Sequence, residues 1–220
     1  GYEFSIVSGG MVSGFRDERE VGLVVIKNVG PEVSTAQVLY SSIKPAVDTQ
    51  LREIPRLGAD AVVFLHVMKD IMADTSDPAF VLGFRAPITL GFYEFKPWVA
   101  AQLFFINQGG LGWNLPISVA LGGEWSVYLG RIQLDARAGV AGGSNLLVKI
   151  LEENLATDDD PWFTHYGVTG GATLNLLITR DIKVFAEAQL DFMLGIADGI
   201  GSGFDHYGGP SLGAGAVFKL

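Results

Sequence analysis

Apolar side chains at every second position are the feature that most narrows what this chain can fold into. From Ile182 to Leu194, one face reads Ile182, Val184, Ala186, Ala188, Leu190, Phe192 and Leu194, and the other Lys183, Phe185, Glu187, Gln189, Asp191 and Met193. A period of two sends successive side chains to opposite faces of a strand. The same division recurs in Arg131 to Val140, Trp113 to Val127, Tyr166 to Ile178 and Phe80 to Phe92. In each, one face is apolar and the other mixes charge, amide, hydroxyl and small residues. Although 49% of the residues are hydrophobic, no run approaches the roughly 18 to 20 consecutive apolar residues that a membrane helix requires. In a soluble β-sandwich or lipocalin-like barrel the apolar faces would point inward and charge would dominate the exterior. Only 18% of the residues are charged, which is too little for that. The expected fold is all-β: an antiparallel transmembrane up-and-down β-barrel with its apolar faces on lipid and its polar faces on the lumen.

Aromatic residues fall toward the ends of the apolar faces. Trp98, Trp113, Trp125 and Tyr166 are therefore read as interfacial, because indole and phenol rings prefer the headgroup level. Gly171, Gly213 and Gly215 suit the inner face of a narrow barrel that cannot hold a large side chain at every level. The connections alternate in length. Those at 179–181, 129–130 and 93–96 are short, whereas 70–78, 142–162 and 197–210 are longer and polar. Short turns at one end and long loops at the other are the asymmetry of outer-membrane barrels, whose strand number is even and whose termini are both periplasmic.

The paired segment Val168 to Phe192, hinged at a tight turn, and the terminal Ser211-Leu-Gly-Ala-Gly-Ala-Val-Phe-Lys-Leu220 resemble the closing strands of small outer-membrane barrels of the outer-membrane-protein A and W type. The resemblance covers about residues 59–220. It implies a bacterial outer-membrane location among lipid and lipopolysaccharide, and recognition of the last strand by the barrel-assembly machinery during biogenesis. No basic and apolar leader precedes Tyr2, so an exported protein is expected to be present in its mature form.

Eight strands are expected from residue 59 onward, near 59–69, 79–92, 97–106, 112–127, 131–142, 164–179, 182–196 and 211–220. Adding Tyr2 to Phe15 and Val21 to Lys27 gives about ten, with eight or twelve as alternatives, all in a single barrel domain spanning 1–220. Residues 30–58, interrupted by Pro31, Pro45 and Pro55, are an uncertain connecting or accessory segment.

The polar faces nominate a lumen network of Arg85, Glu124, Arg131, Asp135, Arg137, Lys183, Glu187 and Asp191, with His66 beside it. Enclosed charges are expensive unless paired, so opposite signs are expected to satisfy one another. Such a network either plugs the barrel or lines a water-filled pore. His66, His165 and His206 have no spacing that suggests a metal site or a triad, and no catalytic residue, metal ligand or cofactor is assigned. In the long loop, Leu147, Ile150, Leu151 and Leu155 stand at helical spacing. Their stripe would fold over the barrel mouth, lie on the lipid interface or dock a protein partner at the outer loops. The acids Asp158, Asp159 and Asp160 read as a solvated rim, since a calcium loop needs a different spacing. A net charge of -9 argues against nucleic acid, which wants a basic face. The expected function is a non-enzymatic structural or interaction protein working through its loops. The alternative is a small-solute channel with a charged lumen, and the weaker alternative a membrane-embedded hydrolase.

Overall fold

The computed structural model describes residues 3–12, 15–46, 49–72, 77–89, 92, 94–107, 113–145, 164–195 and 206–220. Its larger sheet is a closed barrel of eight long antiparallel strands: β5 (Asp60–Lys69), β6 (Pro78–Pro87), β7 (Phe95–Asn107), β9 (Pro116–Leu129), β10 (Ile132–Asn145), β11 (His165–Leu177), β12 (Ile182–Gly195) and β13 (His206–Lys219). Each pairs with its neighbour in sequence, and β13 returns to β5 through Ser211↔Met68 to Lys219↔Asp60. A two-residue strand, β8 (Trp113–Asn114), adds to the end of β7.

The alternation read from the sequence becomes a two-sided wall. On β12, Val184, Ala186, Ala188 and Leu190 point out, while Lys183, Phe185, Glu187, Gln189 and Asp191 are buried inside. The outer surface carries Val63, Leu65 and Val67 of β5, Phe80, Leu82 and Phe84 of β6, Val119 and Leu121 of β9, and Leu174 and Leu176 of β11, all exposed. A contiguous apolar belt of this extent is not a surface for water.

Turn chemistry fixes one end. Between β9 and β10, Gly130 has φ 65°, the left-handed conformation that glycine adopts without strain. Between β11 and β12, the Thr179 hydroxyl accepts hydrogen bonds from the amides of Asp181 (3.2 Å) and Ile182 (3.1 Å), which closes the turn locally. At the other end, β13 begins at His206, earlier than the sequence reading places it, and contains Gly208 at φ 129°. A side chain there would meet the Asp191 carbonyl oxygen at 2.2 Å.

The first quarter of the chain is not in the barrel, which corrects the expected count of about ten strands to eight. β1 (Glu3–Val12), β2 (Phe15–Val29), β3 (Ser34–Ser41) and β4 (Gln50–Ile54) form a separate antiparallel sheet in the order β3-β2-β1-β4. The reason lies in β2. Leu23, Val24 and Val25 are consecutive and all buried, so this strand is covered on both faces and offers no polar face to a lumen. Leu23, Val25, Leu39 and Ile54 pack against Leu177 at the end of β11. The sheet thus lies across the short-turn end of the barrel, where Gln37 Nε2 also donates to the Tyr128 carbonyl at 2.7 Å.

Candidate functional site

Strand register assembles the lumen. A single rung runs Ser126↔Asp135↔Thr173↔Glu187↔Gly213↔His66 across β9 to β13 and β5. Gly213 makes room on that rung, because a Cβ there would stand 1.9 Å from the His66 ring. Glu187 is the centre. Its carboxylate accepts from Arg85 Nη2 at 3.1 Å, Arg137 Nη1 at 2.8 Å and Thr173 Oγ1 at 2.9 Å. It is also bonded to Arg137 Nη2, and His66 Nε2 lies 3.1 Å away. The paired Arg137–carboxylate contact is the bidentate geometry that holds a guanidinium in one orientation.

The network continues in both directions. Arg137 Nη2 reaches Gln189 Oε1 at 2.6 Å, and Gln189 Nε2 donates to Asp191 at 2.7 Å. Toward the short turns, Asp135 accepts from Gln133 at 2.7 Å and Asn175 at 2.6 Å, and Lys183 Nζ donates to Gln133 Oε1 at 2.7 Å. Lys96 donates to Ser126 at 2.8 Å and stands 4.0 Å from Glu124. Toward the long loops the filling turns apolar: Met68, Val81, Phe104, Ile106, Met193 and Tyr207 form one buried cluster. Two grooves, of about 1240 and 910 Å³, are lined by outward-facing residues such as Ala138, Ala172, Ala188 and Leu212 and so lie on the outside of the barrel.

A scan against protein-family models finds no match, and no curated protein sequence matches. Solved structures do match. Neisserial surface protein A superposes with a TM-score of 0.51 at 12% identity, over 76% of this chain and 100% of that one. The chain has the fold of the small outer-membrane β-barrels. The N-terminal β-barrel domain of Pseudomonas aeruginosa OprF (TM-score 0.42, 13% identity, 74% and 100% covered) and Yersinia pestis Ail in a bilayer nanodisc (0.42, 10%, 74% and 99%) also match. The whole of the Neisserial barrel is covered while about a quarter of this chain is left over, a share matched by the extra N-terminal sheet.

In this small outer-membrane barrel fold, Arg85, Glu124, Asp135, Arg137, Lys183, Glu187 and Asp191 are all buried on the inner face. Arg131 is not among them. It sits in the β9–β10 turn, where its guanidinium stacks 4.3 Å from the centre of the Tyr40 ring of the N-terminal sheet. Trp125 and Tyr166 project outward, 60% and 53% exposed. Trp98 corrects the interfacial assignment: it is 2% exposed and points into the lumen, over Gly122 and Gly139, whose added Cβ atoms would meet its ring at 2.8 and 2.7 Å. The side chain of Trp113, the loop helix with Leu147, Ile150, Leu151 and Leu155, and Asp158 to Asp160 lie outside the described residues. His165 is buried beside Tyr207, with ring centres 5.1 Å apart, and its Nδ1 is 2.9 Å from the Thr164 hydroxyl. His206 is exposed at the start of β13, where its Nδ1 accepts from the Gly195 amide at 3.3 Å. Among the described residues no three His, Asp or Glu side chains converge as a metal site would need.

Sequence reasoning missed the closure of the short-turn end. Arg56 joins the Glu3 carboxylate (3.2 and 3.0 Å) to Asp181 (2.7 Å) and to the carbonyl oxygens of Lys219 and Arg180. Lys219 Nζ is bonded to Glu3 from the barrel side. The one available signal was Arg56 beside Pro55 in a segment otherwise too polar for lipid.

Proposed function

We propose that this chain is an integral protein of the bacterial outer membrane that works structurally or as an interaction partner through its long loops, without conducting solutes or catalysing a reaction. The observation that carries the proposal is the filled lumen. A hydrogen-bonded layer centred on Glu187 is succeeded toward the long loops by the apolar Phe104–Tyr207 cluster, and the N-terminal sheet lies over the other end. Water threading such an interior would have to displace paired buried charges, which is costly when one partner is left alone. The short-turn end, with the N-terminal sheet and the end of the last strand, is assigned to the periplasm, and lipid and lipopolysaccharide surround the belt. The working surface is then the segments that the sequence reads as long loops, 142–162 and 197–210, the former carrying Leu147, Ile150, Leu151 and Leu155 at helical spacing.

Planar-bilayer recording tests the proposal. The purified protein is expected to give no discrete conductance steps at any voltage, and Arg137→Ala to give none either. Steps in the wild type whose size or ion selectivity changes in Arg137→Ala would instead establish the charged-lumen channel.

A further inference from the structure

The contact between the N-terminal sheet and the barrel has a composition unlike the rest of the molecule. No backbone ladder joins the two sheets, and the apolar part draws Leu177 alone of its buried members from the barrel. Beyond the Gln37 bond to the Tyr128 carbonyl, most of the remainder involves charged side chains. At the rim, Arg180 meets Glu20 at 3.0 Å and Lys27 meets Glu94 at 3.6 Å, both pairs well exposed and hence of small net value. At the centre, a void of about 10 Å³ is lined by Glu3, Tyr128, Arg131, Gln133, Lys183 and Lys219 among others. It brings three cations to one carboxylate.

Arg56 stays with the barrel whichever way the sheet moves. Its guanidinium holds Asp181 and the Lys219 carbonyl, and the next residue, Leu57, donates its amide to the Leu220 carbonyl at 2.8 Å. The chain therefore passes from sheet to barrel at Pro55, and Glu3 is the group through which the anchored Arg56 and Lys219 grip the sheet.

We propose that the N-terminal sheet is a releasable lid on the short-turn mouth of the barrel, clasped shut by the Glu3 carboxylate between Lys219 and Arg56. With Glu3 charged, the excess of cations at the mouth is reduced and the lid stays closed. With Glu3 neutral, Lys219, Lys183 and Arg131 face one another across that small void, with Asp60 acting on Lys219 and Arg56 held by Asp181, and the cations' repulsion opens the lid. Opening exposes the basic mouth and leaves the lumen network around Glu187 untouched.

The clasp also sets a pH window. Burial alone would raise the Glu3 carboxyl, but Lys219 and Arg56 outweigh it and hold it below the ordinary carboxylate value. Asp181 is likewise held low, burial being outweighed by Arg56 and Arg180. Groups with depressed folded values stabilise the closed form above the ordinary carboxylate range, and that contribution is lost as pH falls through the depressed values. The lid is thus closed at neutral pH and opens only in acid below the usual carboxylate range.

Hydrogen exchange on the full chain in detergent micelles at neutral pH reads the lid directly. Glu3→Gln is expected to speed exchange in 19–29 and 34–41 by about tenfold or more, leaving β10, β11 and β12 at wild-type rates. Adding Lys219→Met removes the cation bonded to Glu3 and is expected to return the lid to within about threefold of wild type, as exchange of a buried pair for uncharged groups is often neutral. Wild-type exchange in the Glu3→Gln lid would overturn the proposal. So would equal acceleration of the barrel strands, which would make the sheet part of the barrel's own fold, and so would failure of Lys219→Met to restore protection.

Discussion

Glu187→Leu is expected to cost the barrel about 3–5 kcal/mol, the usual loss when one partner of a buried ion pair is removed and the other stays charged. Two guanidiniums depend on this carboxylate. Arg85 and Arg137 are 3% and 7% exposed, and both reach Glu187 within 3.1 Å. Arginine does not escape by losing its proton, so each would remain as an uncompensated charge in a closed interior. Urea titration of the protein folded into lipid vesicles measures the effect as a fall in transition midpoint. Glu187→Gln should recover little of the loss, since it keeps the size and an acceptor oxygen for Thr173 but not the charge. Replacing both arginines by methionine in the Glu187→Leu background should recover most of it. A loss under about 1 kcal/mol for Glu187→Leu would mean that the lumen is wet enough to solvate the arginines, and the filled interior would be refuted.

The second large effect belongs to the outer face. Ala172 is exposed, and register places it on one line with the outward-facing Ala136 and Ala188 near the middle of the belt. Arginine at such a position costs about 2–4 kcal/mol at a bilayer midplane and close to nothing at the interfaces. Ala172→Arg should therefore destabilise the vesicle-embedded protein by that amount, and the same substitution at the belt edge by less than about 1 kcal/mol. On a water-facing surface the change would fall within about 0.5 kcal/mol. Equal, small costs at both depths would remove the apolar belt from lipid.

The barrel was legible because β11 and β12 keep the period of two over most of their length, with Leu177, Phe185 and Met193 the apolar exceptions on the inner face. Val184, Ala186 and Ala188 on one side and Lys183, Glu187 and Gln189 on the other admit a single assignment of faces. β7 does not. Its inner face runs Lys96, Trp98, Ala100, Gln102, Phe104 and Ile106, apolar at four of six positions, while Val99 and Ala101 face out, so the period gives only a weak phase. Trp98 was placed at the interface because it stands toward the end of an apolar segment whose phase is weak. The correct cue was on other strands, where Gly122 and Gly139 leave the space that the indole fills. Arg131 was misplaced because it stands at a strand boundary, where alternation no longer fixes direction. Its partner Tyr40 is 91 residues away in the sequence, in a sheet that has no counterpart in the alternating pattern. The extra sheet itself was half visible: Val21-Gly-Leu-Val-Val-Ile26 is apolar without alternation, which marks a strand covered on both faces. Which surface covers it depends on contacts with Leu177 and the short turns, and no local pattern encodes those.

Membrane integration is the claim on which the lumen, the belt and the lid all depend, and alkaline carbonate extraction of membranes carrying the native protein tests it most directly. The account predicts that the protein stays in the membrane pellet and leaves it only with detergent. Recovery of folded protein in the aqueous fraction without detergent would contradict it.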